Sequence, residues 1–222
     1  MRMLQVGRWL TAIGLVLLAG VYVRALSYTP VEQTQGLAQK IFYLHVPAAI
    51  WAETAMILVG LASVFYLFTK DPRLDRFAAA SAEVGTIFCV IVLTTGPIWG
   101  TWWTWDARLT FTLFLFLLYV GYLLLRGAVP DPAMRARYAA VLGICGMCEV
   151  PFIHLSVYMF PTLHPMPIVL QPGRPKLPGS MLSTWLLSLG VFTLLYVGFV
   201  VQRYALSYLR EQLEAAGEVG HA

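Results

Sequence analysis

Charge is what this sequence has least of. Acidic and basic residues make up 12% of its 222 residues, hydrophobic ones 59%, and mean hydropathy is +0.73. That balance excludes a water-soluble domain, which could not stay in solution with so few charges. Cysteine is scarce too, and Cys89, Cys145 and Cys148 all fall inside long apolar stretches. The Cys145–Cys148 spacing is that of a thiol redox pair, but it lies in a predicted helix beside Gly143 and Gly146. Small residues there serve close packing, and a redox pair needs an accessible, activated thiolate, so packing is the expected role. The chain also lacks an internal repeat and a low-complexity tract. No small-residue cleavage pattern closes the first apolar run, and Arg24 stands where the cleavage region would be. The run behind Arg2 and Arg8 is therefore expected to be an uncleaved anchor.

What remains is hydrophobic length. A helix needs roughly 20 mostly apolar residues to cross about 30 Å of hydrocarbon, and six stretches qualify: about 9–28, 47–68, 78–98, 107–125, 138–160 and 180–202. The predicted fold class is all-α, a single six-helix membrane domain over 1–222 with no room for a separate soluble domain. Six spans put both termini on one side. That side collects Arg2, Arg8, Lys70, Arg73, Arg76, Arg126, Arg135, Arg137, Arg203 and Arg210, against Arg24, Lys40, Arg108, Arg174 and Lys176 opposite. Short loops rich in Lys and Arg stay inside, so both termini are expected to be cytoplasmic. The net charge of +4 then reflects topology and implies no nucleic-acid partner.

The cytoplasmic connections, Lys70-Asp71-Pro72 and Val129-Pro130-Asp131-Pro132, read as plain tethers, and the tail 203–222 as a short amphipathic helix that frays, with His221 inert. The outer segments differ in kind. Segment 29–46 carries Leu37, Ile41 and Leu44 at helical spacing with Gln35, Gln39 and Lys40 between them, a pattern for a short interfacial helix. Segment 99–106 reads Trp-Gly-Thr-Trp-Trp-Thr-Trp-Asp. Segment 161–179 holds six of the thirteen prolines and cannot be a regular helix.

Chemistry is therefore expected on the outer face. Trp99, Trp102, Trp103 and Trp105 crowd into seven positions, where an aromatic belt at the headgroups needs only one or two rings per helix end. Gly96-Pro97 is expected to break the third span, so the four rings read as a flat apolar platform on an irregular segment, suited to a large planar ligand. His45 and His164 lie in different outer segments beside it, and a planar metal macrocycle takes one axial imidazole from each side. His154, about three turns before His164 and inside the fifth span, is placed to pack or hydrogen-bond and is the lesser candidate for ligand. Asp106 stands where an N-cap would open the fourth span, so capping and a direct role are both open. Arg108 could pair with Asp106 or reach an anionic group of the ligand. Three helix N-termini face the same side and favour carboxylates by about 0.3–1 kcal/mol each, enough to orient a ligand but not to bind it. Glu53, Glu83 and Glu149 lie within spans, where an ionised side chain is costly and function is the default. No intramembrane Lys or Arg partner is evident for them in the sequence, which leaves protonated structural acids or contacts to a partner's helix.

The run from Trp99 to Thr110, Trp-Gly-Thr-Trp-Trp-Thr-Trp-Asp-Ala-Arg-Leu-Thr, resembles the WWD signature of haem-handling proteins in cytochrome c biogenesis. Tyr43-Leu-His-Val-Pro-Ala-Ala49 and Thr162-Leu-His164 are similar to the two histidine segments of the cytochrome c maturation protein C (CcmC) family within that group. Length, span count and motif order agree, so the resemblance covers essentially the whole chain. It implies His45 and His164 as axial ligands of transiently bound haem b, with Trp99, Trp102, Trp103, Trp105, Asp106 and Arg108 around the ring. It implies delivery, on the periplasmic side of a bacterial inner membrane, to a membrane-tethered CcmE-like haem chaperone. CcmA- and CcmB-like ABC ATPase and permease subunits and a small single-span CcmD-like protein would then release the loaded chaperone. The family's chaperone takes haem covalently through its own histidine, so this chain is expected to position haem and exclude solvent, with no catalytic residue assigned. The stretch Leu-Ser-Val-Tyr-Met-Phe-Pro-Thr-Leu between His154 and His164 departs from relatives that carry tryptophan there.

Two other classes fit the residues less well. A membrane electron-transfer subunit would hold haem between helices, on histidines deep in the spans, yet only His154 is so placed. A haem permease would need a polar path through the midplane, for which Glu53, Glu83 and Glu149 are thin material. The larger haem-attaching synthetases of the same group need more spans and histidines than 222 residues allow.

Overall fold

The computed structural model describes residues 1–100, 102–162, 164, 173 and 176–220. It contains α1 (Arg2–Ser27), a single 3-10 turn (Leu37–Ile41), α2 (Phe42–Thr69), α3 (Pro72–Trp99), α4 (Ala107–Ala128), α5 (Pro132–Met159) and α6 (Gly179–Gly220). All six α-helices are long and apolar enough to cross a membrane, and the chain is a multi-pass membrane protein.

Capping chemistry sets the helix starts. Asp71 accepts from Arg73 N, Asp106 from Leu109 N and Asp131 from Met134 N, with Pro72 and Pro132 at the first turns of α3 and α5, where a missing N–H costs nothing. Lys70 ends α2 in the left-handed region at φ 57°, closing a tight α2–α3 connection.

α2 lies at the centre, against α3, α5 and α6, while α1 packs along α6 and α4 against α3 and α5. With no water to drive helices together, close approach of small residues does the work. A Cβ on Gly143 would meet Ser63 Oγ at 2.7 Å, and one on Gly146 would meet Met56 Sδ at 2.5 Å, so α5 seats directly on α2. Gln202 of α6 donates to Thr11 Oγ1 at 2.6 Å, and Arg24 reaches Thr184 and Ser183 from the other end of α1. α1 and α6 are thus antiparallel, and both termini share an end of the bundle with the α2–α3 connection. The opposite, distal end carries the three long connections.

Several polar groups in the core find partners on neighbouring helices, as hydrocarbon favours. Pro47 removes the N–H that would have bonded the Tyr43 carbonyl, and Ser188 of α6 donates to that carbonyl instead. Tyr119 donates to the Ala52 carbonyl at 2.7 Å and Ser81 to that of Ala55 at 3.2 Å.

Several expectations are corrected. Segment 29–46 does not form a separate amphipathic helix with an exposed polar face: its 3-10 turn runs straight into α2, Leu37 faces out and Gln39 and Lys40 are buried. Lys40 Nζ donates to the carbonyls of Thr29 and Pro30, both at 2.9 Å, and to the Thr29 hydroxyl, so it ties the α1–α2 connection instead of meeting headgroups. The tail is no separate helix either, because α6 runs unbroken to Gly220. Glu211 and Tyr204 on it hold the buried guanidinium of Arg76, which anchors the extension to α3. Gly143 and Gly146 take the packing role expected near the thiols, whereas Cys145 and Cys148 face outward as free cysteines and Cys89 is buried. Two intramembrane acids do have partners: Glu83 pairs with Arg203 and Glu53 with His154. Neither carboxylate oxygen of Glu149 has a partner among the described residues.

Candidate functional site

A cavity of about 440 Å³ opens at the distal end between α2, α3 and α4, within the ~300–1,000 Å³ typical of small-molecule sites. α2 contributes His45, Ala49, Ala52 and Glu53, and α3 contributes Cys89, Val92, Leu93, Gly96, Pro97 and Trp99. Arg108, Leu109, Thr112 and Leu115 come from α4, with Thr34, Gln35, Trp103, Thr104, Asp106 and His164 from the connections. His45 and Glu53 are two helical turns apart, about 12 Å at ~1.5 Å per residue, so the cavity runs well into the bundle. Its wall is mainly apolar, with two imidazoles, a guanidinium and two carboxyls.

His45 sits in the first turns of α2 and is buried. Its Nδ1 is 2.9 Å from Thr95 Oγ1, its ring lies edge-on to Trp99 at 5.5 Å between centroids, and its Cε1 lies over Gly96, where a Cβ would stand 3.3 Å away. Three near-consecutive residues of the last turns of α3 thus hold one imidazole.

His164 is placed through a relay. Asp106 Oδ1 accepts from Leu109 N at 2.9 Å and caps α4. Its Oδ2 accepts from the Thr162 hydroxyl at 3.1 Å, and that hydroxyl accepts from the His164 amide at 3.0 Å. Asp106 is therefore a helix cap and a strut for the second histidine segment at once. Among the described residues Arg108 and Asp106 form no ion pair, and Arg108 shares the cavity wall with Glu53 and Asp106.

The tryptophans do not make one flat platform. α3 continues through Pro97 to Trp99, so Gly96-Pro97 does not break the span and the Trp99 ring belongs to the helix. Trp99 packs edge-on against Phe42 and donates to Gln35 Oε1 at 2.9 Å. Trp103 lies in the cavity wall and meets Trp105 at 84°. Trp102 and Trp105 are 80% and 76% exposed and point away. Two indoles thus line the cavity and two form an outward apolar surface at its rim.

His154 is outside the cavity wall, with Nε2 2.5 Å from Glu53 Oε2. Most of segment 161–179, including Pro165, Pro167, Pro172 and Pro175, lies outside the described residues, as do Thr101, Leu163 and His221.

A family model described as "Heme exporter protein C" matches residues 2–217. The chain belongs to the haem exporter protein C family. The "Heme exporter protein C" of Bradyrhizobium diazoefficiens is 40% identical over 195 residues, covering 85% of this chain and 73% of that protein. That of Haemophilus influenzae is 35% identical over 202 residues, 89% and 82% of the two chains. That of Escherichia coli K12 is 38% identical over 161 residues, 70% and 66%.

In this member of the haem exporter protein C family, the structure adds residues that the sequence pattern did not single out. Thr95 and Gln35 each hold a ring of the site, while Glu53, already marked in the sequence as an intramembrane acid, reaches the cavity from below. A hydroxyl in an apolar stretch one turn before Trp99 was the available signal for Thr95. Gln35 offered none, because its contact with Trp99 spans 64 positions.

Proposed function

We propose that this chain binds haem b transiently in the distal cavity, with His45 and His164 as axial ligands of the iron, and delivers it to a membrane-tethered haem chaperone during cytochrome c maturation. The observation that carries this reading is the convergence of His45, His164, Trp99, Trp103, Asp106 and Arg108, from three helices and two connections, on one mainly apolar cavity. Haem is the cargo, a large apolar ring with a metal at its centre and two carboxylates at one edge. The residues present fit each part: imidazoles for the iron, indole and aliphatic walls for the ring, and Arg108 for a propionate.

The chain's own work is then binding, orientation and exclusion of water. His45 is buried and fixed, so it holds the iron from inside the bundle. His164 lies on a connection, the more accessible side, where a partner's residue can replace it. Trp102 and Trp105 would offer an apolar contact for a CcmE-like chaperone. On this reading the distal end is periplasmic, both termini are cytoplasmic in a bacterial inner membrane, and the 222 residues act as one domain. CcmA-, CcmB- and CcmD-like proteins would complete the assembly.

The test is the absorption spectrum of detergent-purified protein and of its His45→Ala and His164→Ala variants, oxidised and reduced. Wild type is expected to carry low-spin haem, and either change to abolish it or convert it to high spin. Haem unaltered in both variants but lost in His154→Ala would overturn the assignment in favour of an intramembrane haem.

A further inference from the structure

The last turns of α3 do more than wall the cavity. The Thr95 hydroxyl has one proton, and its oxygen stands 2.6 Å from the Ile91 carbonyl one turn back. A carbonyl can only accept, so the proton lies there. The same oxygen is 2.9 Å from His45 Nδ1, and with its proton committed it can only accept from that nitrogen. Nδ1 must then carry a hydrogen, and in the neutral ring the lone pair is left on Nε2. Gly96 against Cε1 and Trp99 edge-on to the ring leave the imidazole little room to rotate or flip.

We propose that Thr95 is a positioning residue, holding His45 as its Nδ1–H tautomer so that Nε2 presents its lone pair to the iron. The proposal rests on the haem reading above and deepens it. It names the ligating atom and the group that selects it. The chain Ile91 carbonyl, Thr95 hydroxyl, His45 imidazole is an orienting partner of the kind that metal-binding histidines use, whose loss typically costs about 10–100-fold in metal affinity. Val in place of Thr has nearly the same shape and keeps the helix, but it offers no acceptor. Ser keeps the acceptor.

The test uses the full-length chain in detergent, as wild type, Thr95→Val, Thr95→Ser and His45→Ala. Haem-free protein carrying 15N-labelled histidine reports the tautomer by NMR, the His45 signals being those missing from His45→Ala. Titration with iron protoporphyrin IX, followed by absorption, reports affinity and spin state. Wild type and Thr95→Ser are expected to show a protonated Nδ1 and a bare Nε2. Thr95→Val should give mixed tautomers, bind about 10–100-fold more weakly and show a larger high-spin fraction, with unchanged helical circular dichroism. A Thr95→Val protein that matches wild type in tautomer and affinity while His45→Ala loses haem overturns the Thr95 proposal alone. Unaltered binding in His45→Ala overturns the ligand assignment beneath it, whatever Thr95 does. Should Thr95→Val fail to fold, a wild-type His45 protonated on Nε2 would by itself refute the proposal, and one protonated on Nδ1 would support it.

Discussion

Asp106 and Thr162, 56 positions apart, are joined by a 3.1 Å hydrogen bond from the threonine hydroxyl to Oδ2 of the aspartate. That bond makes the start of α4 and the His164 segment one mechanical unit. The other oxygen of the same carboxylate caps the helix, so removing the side chain acts on both.

Asp106→Ala is expected to lose about 1 kcal/mol of stability through the cap and to loosen His164. Asp106→Asn keeps a carbonyl oxygen for the cap but puts an NH2 donor in place of the other oxygen, which cannot accept the Thr162 proton. It should preserve most of the thermal stability while raising the high-spin haem fraction. Thermal unfolding and reduced spectra on the same samples separate the effects. Equal damage to both properties in the two variants would contradict the strut role.

The tryptophans should divide into two classes. Trp99 and Trp103 line the cavity, so their replacement by Leu is expected to weaken haem binding. Trp102 and Trp105 point away, and Trp102→Ala with Trp105→Ala should leave the haem spectrum intact while lowering transfer to the chaperone several-fold. Haem titration beside a covalent-transfer assay checks this. Loss of haem in the Trp102/Trp105 double variant would show that the outward pair belongs to the binding site after all.

His154 is paired with Glu53, whose side chain is 12% exposed while that of the histidine is 49% exposed. Because one partner is half exposed, the pair is worth far less than the ~3–5 kcal/mol seen when a fully buried pair is broken. His154→Ala should destabilise by about 1–2 kcal/mol and retain the low-spin haem spectrum. Glu53→Gln should be milder, since an amide keeps a hydrogen bond to the imidazole. Thermal melts and spectra of the two variants provide the comparison.

Lys40 is a buried ammonium satisfied by Thr29 and Pro30, and hydrogen bonds to a charged group contribute about 1.5–3 kcal/mol each. Lys40→Met, which keeps the apolar stem, is expected to lower the melting temperature and to increase protease cleavage between α1 and α2. Arg in place of Lys should not restore it, because a planar fork does not fit the same three oxygens. Limited proteolysis of detergent-purified variants decides it.

Much was legible before any tertiary structure. Hydrophobic length marked all six spans, because the thickness of a bilayer leaves little choice, but the helices outrun the apolar stretches, by five to seven residues at the starts of α1, α2, α3 and α5 and by 18 at the end of α6. The misplaced boundary at His45 has a clear cause. Apolar length places the second span from about 47, whereas Ser188 of α6 takes over the orphaned Tyr43 carbonyl and lets the helix begin at Phe42. The same blindness to neighbours hid the partners of Glu53 and Glu83, which lie about 100 positions or more away in the chain. It also turned Lys40 inside out, since spacing alone could not show that Thr29 and Pro30 would receive it.

The sequence by itself determined the solvent, the number of spans, the helix caps and the residue types able to grip a metal macrocycle. These are local properties, set by composition, length and short-range spacing. Only the tertiary structure decided which tryptophans face the cavity, which carboxylates are paired and how each histidine is held. Those depend on hydrogen bonds between elements that no spacing encodes. Thr95 lies 50 positions from His45, and only the packing of α3 against α2 brings the hydroxyl to the ring.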